Sequence, residues 1–255
     1  MTIIADFLVI SIFGLAAGTM IGSVGIGGVI LVPLLSFVGG IDIHIAIAAA
    51  MFAFLISGAV GTLFYAKNQS INWQMAAWLW AGAMPAALIG ALTASVLPKT
   101  SLELCLGLLT SVTGLHSLRE NDGPDSDIRL EPQPPALLVA IGAVTGMLSA
   151  LTGTGGPLVL IPILMWCRVP VLMAIGLSQA IQLPIGTLAT SGNIYAGTLD
   201  MMMGIALGAG ISLGTISGGK IAHHLPRAML RRIVSILLIV VGALILAKFA
   251  YHHFG

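Results

Sequence analysis

Two short segments carry the residues of this chain best suited to chemistry. They are Ser23-Val-Gly25-Ile-Gly27-Gly28 and Thr152-Gly153-Thr154-Gly155-Gly156-Pro157. Glycine turns a backbone through positive φ and lets a ligand approach the main chain closely. An apolar stretch of short-helix length follows each segment. The first N–H groups of a helix have no internal acceptors and sit at the positive end of its dipole, and Pro157 suits a helix start. The implied chemistry is anion binding by backbone N–H groups, with the Ser23, Thr152 and Thr154 hydroxyls as further donors. The candidate contacts are Ser23, Gly25, Gly27 and Gly28 in the first segment and Thr152, Gly153, Thr154, Gly155 and Gly156 in the second. A dinucleotide or Walker loop is excluded. No strand pattern precedes either segment, and no lysine stands in the Walker position.

Other polar groups within apolar runs are few. Gln179 and Gln182 are three residues apart and share a helix face. With Asn193 they join the candidate ligand contacts, although interhelical packing bonds are an equal alternative. Lys220, His116 and Glu103 fall near segment ends. Cys105 and Cys167 read as inert core thiols. The chain shows no nucleophile–base pair and no cluster of metal-ligand type. The reading is a protein that is not an enzyme and holds no cofactor or metal.

The two glycine segments are copies of each other. Gly18, Gly25, Gly27 and Gly28 recur as Gly146, Gly153, Gly155 and Gly156, an offset of 128. Ala46/Ala174, Gly58/Gly186, Gly82/Gly210, Gly90/Gly218 and Gly114/Gly242 keep the same offset. Pro33 matches Pro162 after a one-residue insertion. Gln179 and Gln182 align with Met51 and Phe54, so the two copies are not chemically equal. A duplicated apolar chain with a glycine break in each half is the signature of a secondary transporter.

Composition places those copies in a membrane. Hydrophobic residues make up 58% of the 255 and charged residues 7%, against about 25% charged in a soluble domain. Net charge is +1, which gives nucleic acid nothing to bind. The expected fold is an all-α integral membrane protein of two homologous halves. Each half has a Gly-broken pair of short helices plus three spanning helices, about 8–10 membrane segments in all. Residues 1–118 form the first repeat, 119–135 a polar linker rich in proline and charge, and 136–255 the second repeat. Asp42 is expected to cap the helix from Ile43, and Thr100-Ser-Leu-Glu103 reads as a capping box.

Charge decides between parallel and inverted halves. With five segments per half, Lys67, Arg119, Arg129, Arg168, Lys220, Arg227, Arg231 and Arg232 fall on one side. Only Lys99 and Lys248 fall on the other. The positive-inside rule then predicts inverted repeats, a cytoplasmic linker and both termini outside. Inversion would bring the two glycine tips together near the midplane from opposite faces.

The segment Gly22-Ser-Val-Gly-Ile-Gly-Gly28 followed by Pro33, and its repeat Gly153-Thr-Gly-Gly156 followed by Pro162, resemble the TauE/SafE family of sulfite and organosulfonate exporters. The likeness runs from about Phe7 to Ala247. It implies a bacterial inner-membrane permease for small sulfur-containing anions such as sulfite, organosulfonates or thiosulfate. Val24 and Ile26 depart from a fully glycine-rich run. The partners implied are a small anion and membrane lipid, with room for a homo-oligomer. A passive anion channel and a non-transporting assembly subunit are the alternatives.

Overall fold

The computed structural model describes residues 2–24, 28–119, 133–167 and 169–222, with residues 232, 236, 239–240, 242–247 and 249 near the C-terminus. Nine helices are traced among them: α1 (Thr2–Val24), α2 (Gly28–Pro33, continued by a π-helical turn, Leu34–Val38), α3 (Ile43–Lys67), α4 (Trp73–Val96), α5 (Lys99–Arg119), α6 (Pro135–Thr152), α7 (Pro157–Trp166), α8 (Val171–Tyr195) and α9 (Met201–Ala222). No strand occurs among the described residues. Helices α3, α4, α6 and Met201–Gly218 of α9 are each long and apolar enough to cross a membrane. Exposed Ile12, Leu63, Ile89, Val144 and Leu213 present apolar surface outward, as lipid requires.

Local signals explain most boundaries. Asp42 caps α3, its Oδ1 accepting from the His44 N–H at 3.0 Å. Asn72 caps α4 by accepting from the Met75 N–H at 3.1 Å, and exposed Trp73 opens that helix where an interfacial anchor belongs. Pro33 closes the regular part of α2, and the chain widens into the π-turn beyond it. The capping box does not form as expected. Helix α5 already begins at Lys99, because the Pro98 carbonyl accepts from the Ser101 and Leu102 N–H groups. Thr100 therefore lies inside the first turn.

The repeat offset sets α1 on α6, α2 on α7, α3 on α8 and α4 on α9. Packing crosses between the two series. Helix α1 lies along α9 and α4 along α6, while α3 packs on α8. Small residues four apart make the first two contacts. Gly14, Gly18 and Gly22 face Leu207, Ile211 and Thr215, so α1 and α9 run parallel. Gly82 and Gly90 face Val139 and Met147, so α4 and α6 also run parallel. Across α3 and α8 the order reverses: Leu55 meets Gly186, Gly58 meets Gln182 and Gly61 meets Gln179. The two equivalent helices are antiparallel.

The glycines matter because lipid is as apolar as leucine. Helices in lipid hold together by close packing instead of by escape from water. A methyl group at Gly14 would stand 2.8 Å from the Leu207 carbonyl oxygen, and one at Gly18 would overlap the Ile211 backbone. Gly18→Ala is expected to destabilise by about 1–3 kcal/mol, the usual cost of overpacking. Ala16→Leu, on the exposed face of the same helix, should change little. Thermal melts of the purified variants in one detergent check both.

Candidate functional site

Helix α6 stops at Gly153, whose φ of +70° is open to glycine at little cost. The Ser149 carbonyl accepts from the N–H of Gly153 at 2.9 Å and of Thr154 at 3.2 Å. Gly155 and Gly156 follow at φ +78° and +112°, and α7 begins at Pro157. This turn consumes two donors and leaves others. The N–H groups of Gly155, Gly156 and Leu158 meet no acceptor among the described residues. Thr152 through Leu160 are all buried.

The turn sits halfway along the long helices. Gly155 lies against the Phe54 ring in the middle of α3, and Gly156 against Ile181 and Ile185 around the middle of α8. Gly28 lies against the Thr154 carbonyl and the same ring. One residue of the first break thus touches the second break. Gly25 and Gly27 lie outside the described residues.

The expected hydroxyl donors are already engaged. Ser23 Oγ donates to the Thr19 carbonyl at 2.7 Å. Thr152 Oγ1 donates to the Leu148 carbonyl at 2.7 Å and stands 3.0 Å from Thr154 Oγ1. With the Thr152 proton committed, Thr154 is the donor in that pair. Other buried hydroxyls lack partners: Thr145 and Ser149, four apart on α6 and both 0% exposed. The Thr145 side chain lies beside Gly156. A polar pair one helical turn apart, just before a glycine break, is the signal by which the sequence could have revealed them.

Gln179 and Gln182 come together as expected. Gln182 Nε2 donates to Gln179 Oε1 at 3.2 Å, and both residues are 0% exposed. Their hydrogen bonds stay within α8 and do not cross to α3, which offers them only Gly58 and Gly61. Gln179 Nε2 and Gln182 Oε1 have no partner. Reversing both amides would still leave one donor and one acceptor free. The structure does not bring Asn193 to this place. It stands roughly 16–21 Å further along α8 at 1.5 Å per residue. There it lines a small cleft with His44, Ile47, Ala94, Ser95 and Thr198, its Nδ2 buried and unpartnered.

No three His, Cys, Asp or Glu side chains among the described residues converge as metal ligands. The donors near the α7 turn are peptide N–H groups, hydroxyls and amides, with no full positive charge. The arrangement suits a small monoanion held by hydrogen bonds. Burying an unpartnered amide atom costs about 1–3 kcal/mol. Gln182→Leu removes one unpartnered acceptor but takes from Gln179 Oε1 its donor, so the melting temperature is expected to stay within a few degrees of wild type. Differential scanning fluorimetry in detergent measures this.

A sequence profile described as sulfite exporter TauE/SafE matches residues 10–245. The probable membrane transporter protein YunE of Bacillus subtilis is 23% identical over 93% of this chain and 96% of its own length. The probable membrane transporter protein MJ0441 of Methanocaldococcus jannaschii is 26% identical over 92% and 93%. The probable membrane transporter protein y4hK of Sinorhizobium fredii is 28% identical over 92% and 95%. No solved structure matches the chain significantly. The helical fold with its apolar spans, the paired breaks and the match along nearly the whole length agree: this chain belongs to the TauE/SafE family and is a multi-pass membrane transporter.

Proposed function

We propose that the chain is a secondary transporter that exports small sulfur-containing anions such as sulfite or organosulfonates, bound halfway across the membrane at the α7 turn. One observation carries this reading. The N–H groups of Gly155, Gly156 and Leu158 are buried at the head of a ten-residue helix and meet no acceptor among the described residues. Unpaired backbone at this depth is costly unless a cavity or ligand satisfies it. An oxyanion supplies acceptors, and the helix dipole adds about 0.3–1 kcal/mol. Affinity is accordingly modest. Thr145, Ser149, Gln179 and Gln182 add donors and one acceptor around the turn. Thr152, Gly153, Thr154, Gly155 and Gly156 shape it, with Gly28 closing it from the first break.

The same reading takes residues 1–118 and 136–255 as inverted repeats. The antiparallel run of α3 against α8, which the repeat makes equivalent, supports inversion, and so does the lopsided distribution of Lys and Arg. It places the protein in a bacterial inner membrane with the linker in the cytoplasm and the termini outside. Alternating access then comes from movement of one repeat unit against the other. Asn193, remote from the turn, would meet the ligand only on its way in or out.

Proteoliposomes charged with labelled sulfite or methanesulfonate are expected to show saturable flux that unlabelled substrate on the far side accelerates. Flux without saturation or trans-stimulation would identify a channel. No flux of any of these anions would overturn the assignment. Gly155→Val forces a branched side chain onto φ +78° and into the Phe54 ring, and should lower flux at least tenfold. Gln182→Leu should lower flux while leaving the protein as stable as before, which separates a ligand contact from a packing residue.

A further inference from the structure

Phe54 is the side chain that both breaks share. It stands near the centre of α3, 1% exposed, one of the largest fully buried side chains of the protein. A methyl group on Gly28 would lie 3.0 Å from its Cζ. One on Gly155 would lie 2.7, 2.8 and 3.1 Å from its Cδ2, Cγ and Cε2. A side chain on Gly155 would displace the ring, and one on Gly28 would overlap the Thr154 carbonyl and press on the ring. The repeat makes Phe54 the counterpart of Gln182, and the packing respects that pairing. Gly58 of α3 receives Gln182, and Gly186 of α8 receives Leu55, the neighbour of Phe54. Helix α3 therefore receives an amide of α8 at Gly58 and turns the Phe54 ring toward Gly28 and Gly155.

We infer that Phe54 is the specificity-determining residue of the anion site and sets the size of the apolar group that an anion can carry into it. The inference rests on the proposed transport of sulfur-containing anions. An oxyanion such as sulfate presents oxygens in every direction. Held by the N–H groups of Gly155 and Gly156, it would turn some of them toward the ring, where they find no donor and lose their water. An alkylsulfonate has three oxygens at one end and hydrocarbon at the other. Its oxygens meet the N–H groups while its hydrocarbon meets the ring, and because even a methyl group on Gly155 would strike that ring, an alkyl group has space there only as far as the ring turns aside. Sulfite fits by being small.

The test uses the full-length protein in detergent and measures dissociation constants for sulfite, sulfate and the straight-chain sulfonates from methane- to pentanesulfonate. Wild type is expected to prefer sulfite, methanesulfonate and ethanesulfonate and to lose affinity as the chain lengthens. Phe54→Ala opens the wall, so the optimum should move to longer chains. Each added methylene that fills the opened space is worth about fourfold. Phe54→Leu should shift the optimum less, and Phe54→Trp should shorten it. Leu and Trp keep a large apolar group at this position, so they read out the wall even where the alanine variant does not fold. Folded variants that bind sulfonates in the wild-type order of chain length would overturn the role of Phe54 and leave the transport reading standing. A wild-type protein that binds neither sulfite nor any sulfonate would overturn both.

Discussion

Backbone-to-backbone contact between helices is the interaction on which this structure rests. Charged residues are too scarce to tie the helices together, and lipid gives apolar side chains no reason to prefer one another. What remains is close approach, and glycines spaced four or eight residues apart provide it. Gly14, Gly18 and Gly22 seat α1 on α9, while Gly82 and Gly90 seat α4 on α6. These contacts cross between the repeats, so each half is completed by the other. The α3–α8 seam at the centre is then enclosed by helix pairs that cannot slide apart without losing that contact.

Within this frame the glycines divide into two kinds. Those in mid-helix have ordinary helical backbone and exist to let a neighbour in. Gly153, Gly155 and Gly156 have positive φ and exist to turn the chain. The turn is what exposes unpaired N–H groups in the protein interior, and its surroundings are fitted to it. The Ser149 carbonyl takes up the two donors nearest α6, the Thr154 hydroxyl donates to that of Thr152, which donates to the Leu148 carbonyl, and three N–H groups are left over among the described residues. The sequence pairs this turn with the segment that ends at Gly28, but the residue types aligned around the two segments differ. An amide pair stands on α8 against Gly58 and Gly61, and Phe54 of α3 stands against Gly28 and Gly155.

Much of this was legible in the residues. The helix limits follow Gly, Pro and capping side chains closely: α3 opens at Ile43 behind Asp42 as expected, and α7 opens at Pro157 behind Gly155 and Gly156. The partnering of helices was not legible from hydrophobicity, because every helix is apolar all round and no face stands out as buried. The four-residue spacing of Gly14, Gly18 and Gly22 was the available clue. At the site, the residue types pointed to the right turn but not to the fate of each proton. Ser23, Thr152 and Thr154 hydroxyls bond back within one turn or to each other, a choice set by rotamers that sequence does not display. Thr145 and Ser149 escaped notice because a hydroxyl in an apolar helix usually bonds to the carbonyl one turn back, and only coordinates reveal that these two do not.

The crossed packing also bears on how the chain is made. Helix α4 meets its partner α6 soon after synthesis, since only α5 and the linker separate them. Helix α1 precedes the other described helices, and its partner α9 begins roughly 180 residues after it. At about 5–20 residues per second, that is a wait of roughly 10–40 s. For that time the Gly14–Gly22 stripe has no mate. Contacts that are equivalent in the finished protein are thus early on one side and late on the other, and the nascent α1 is the surface that an insertion chaperone would have to shield.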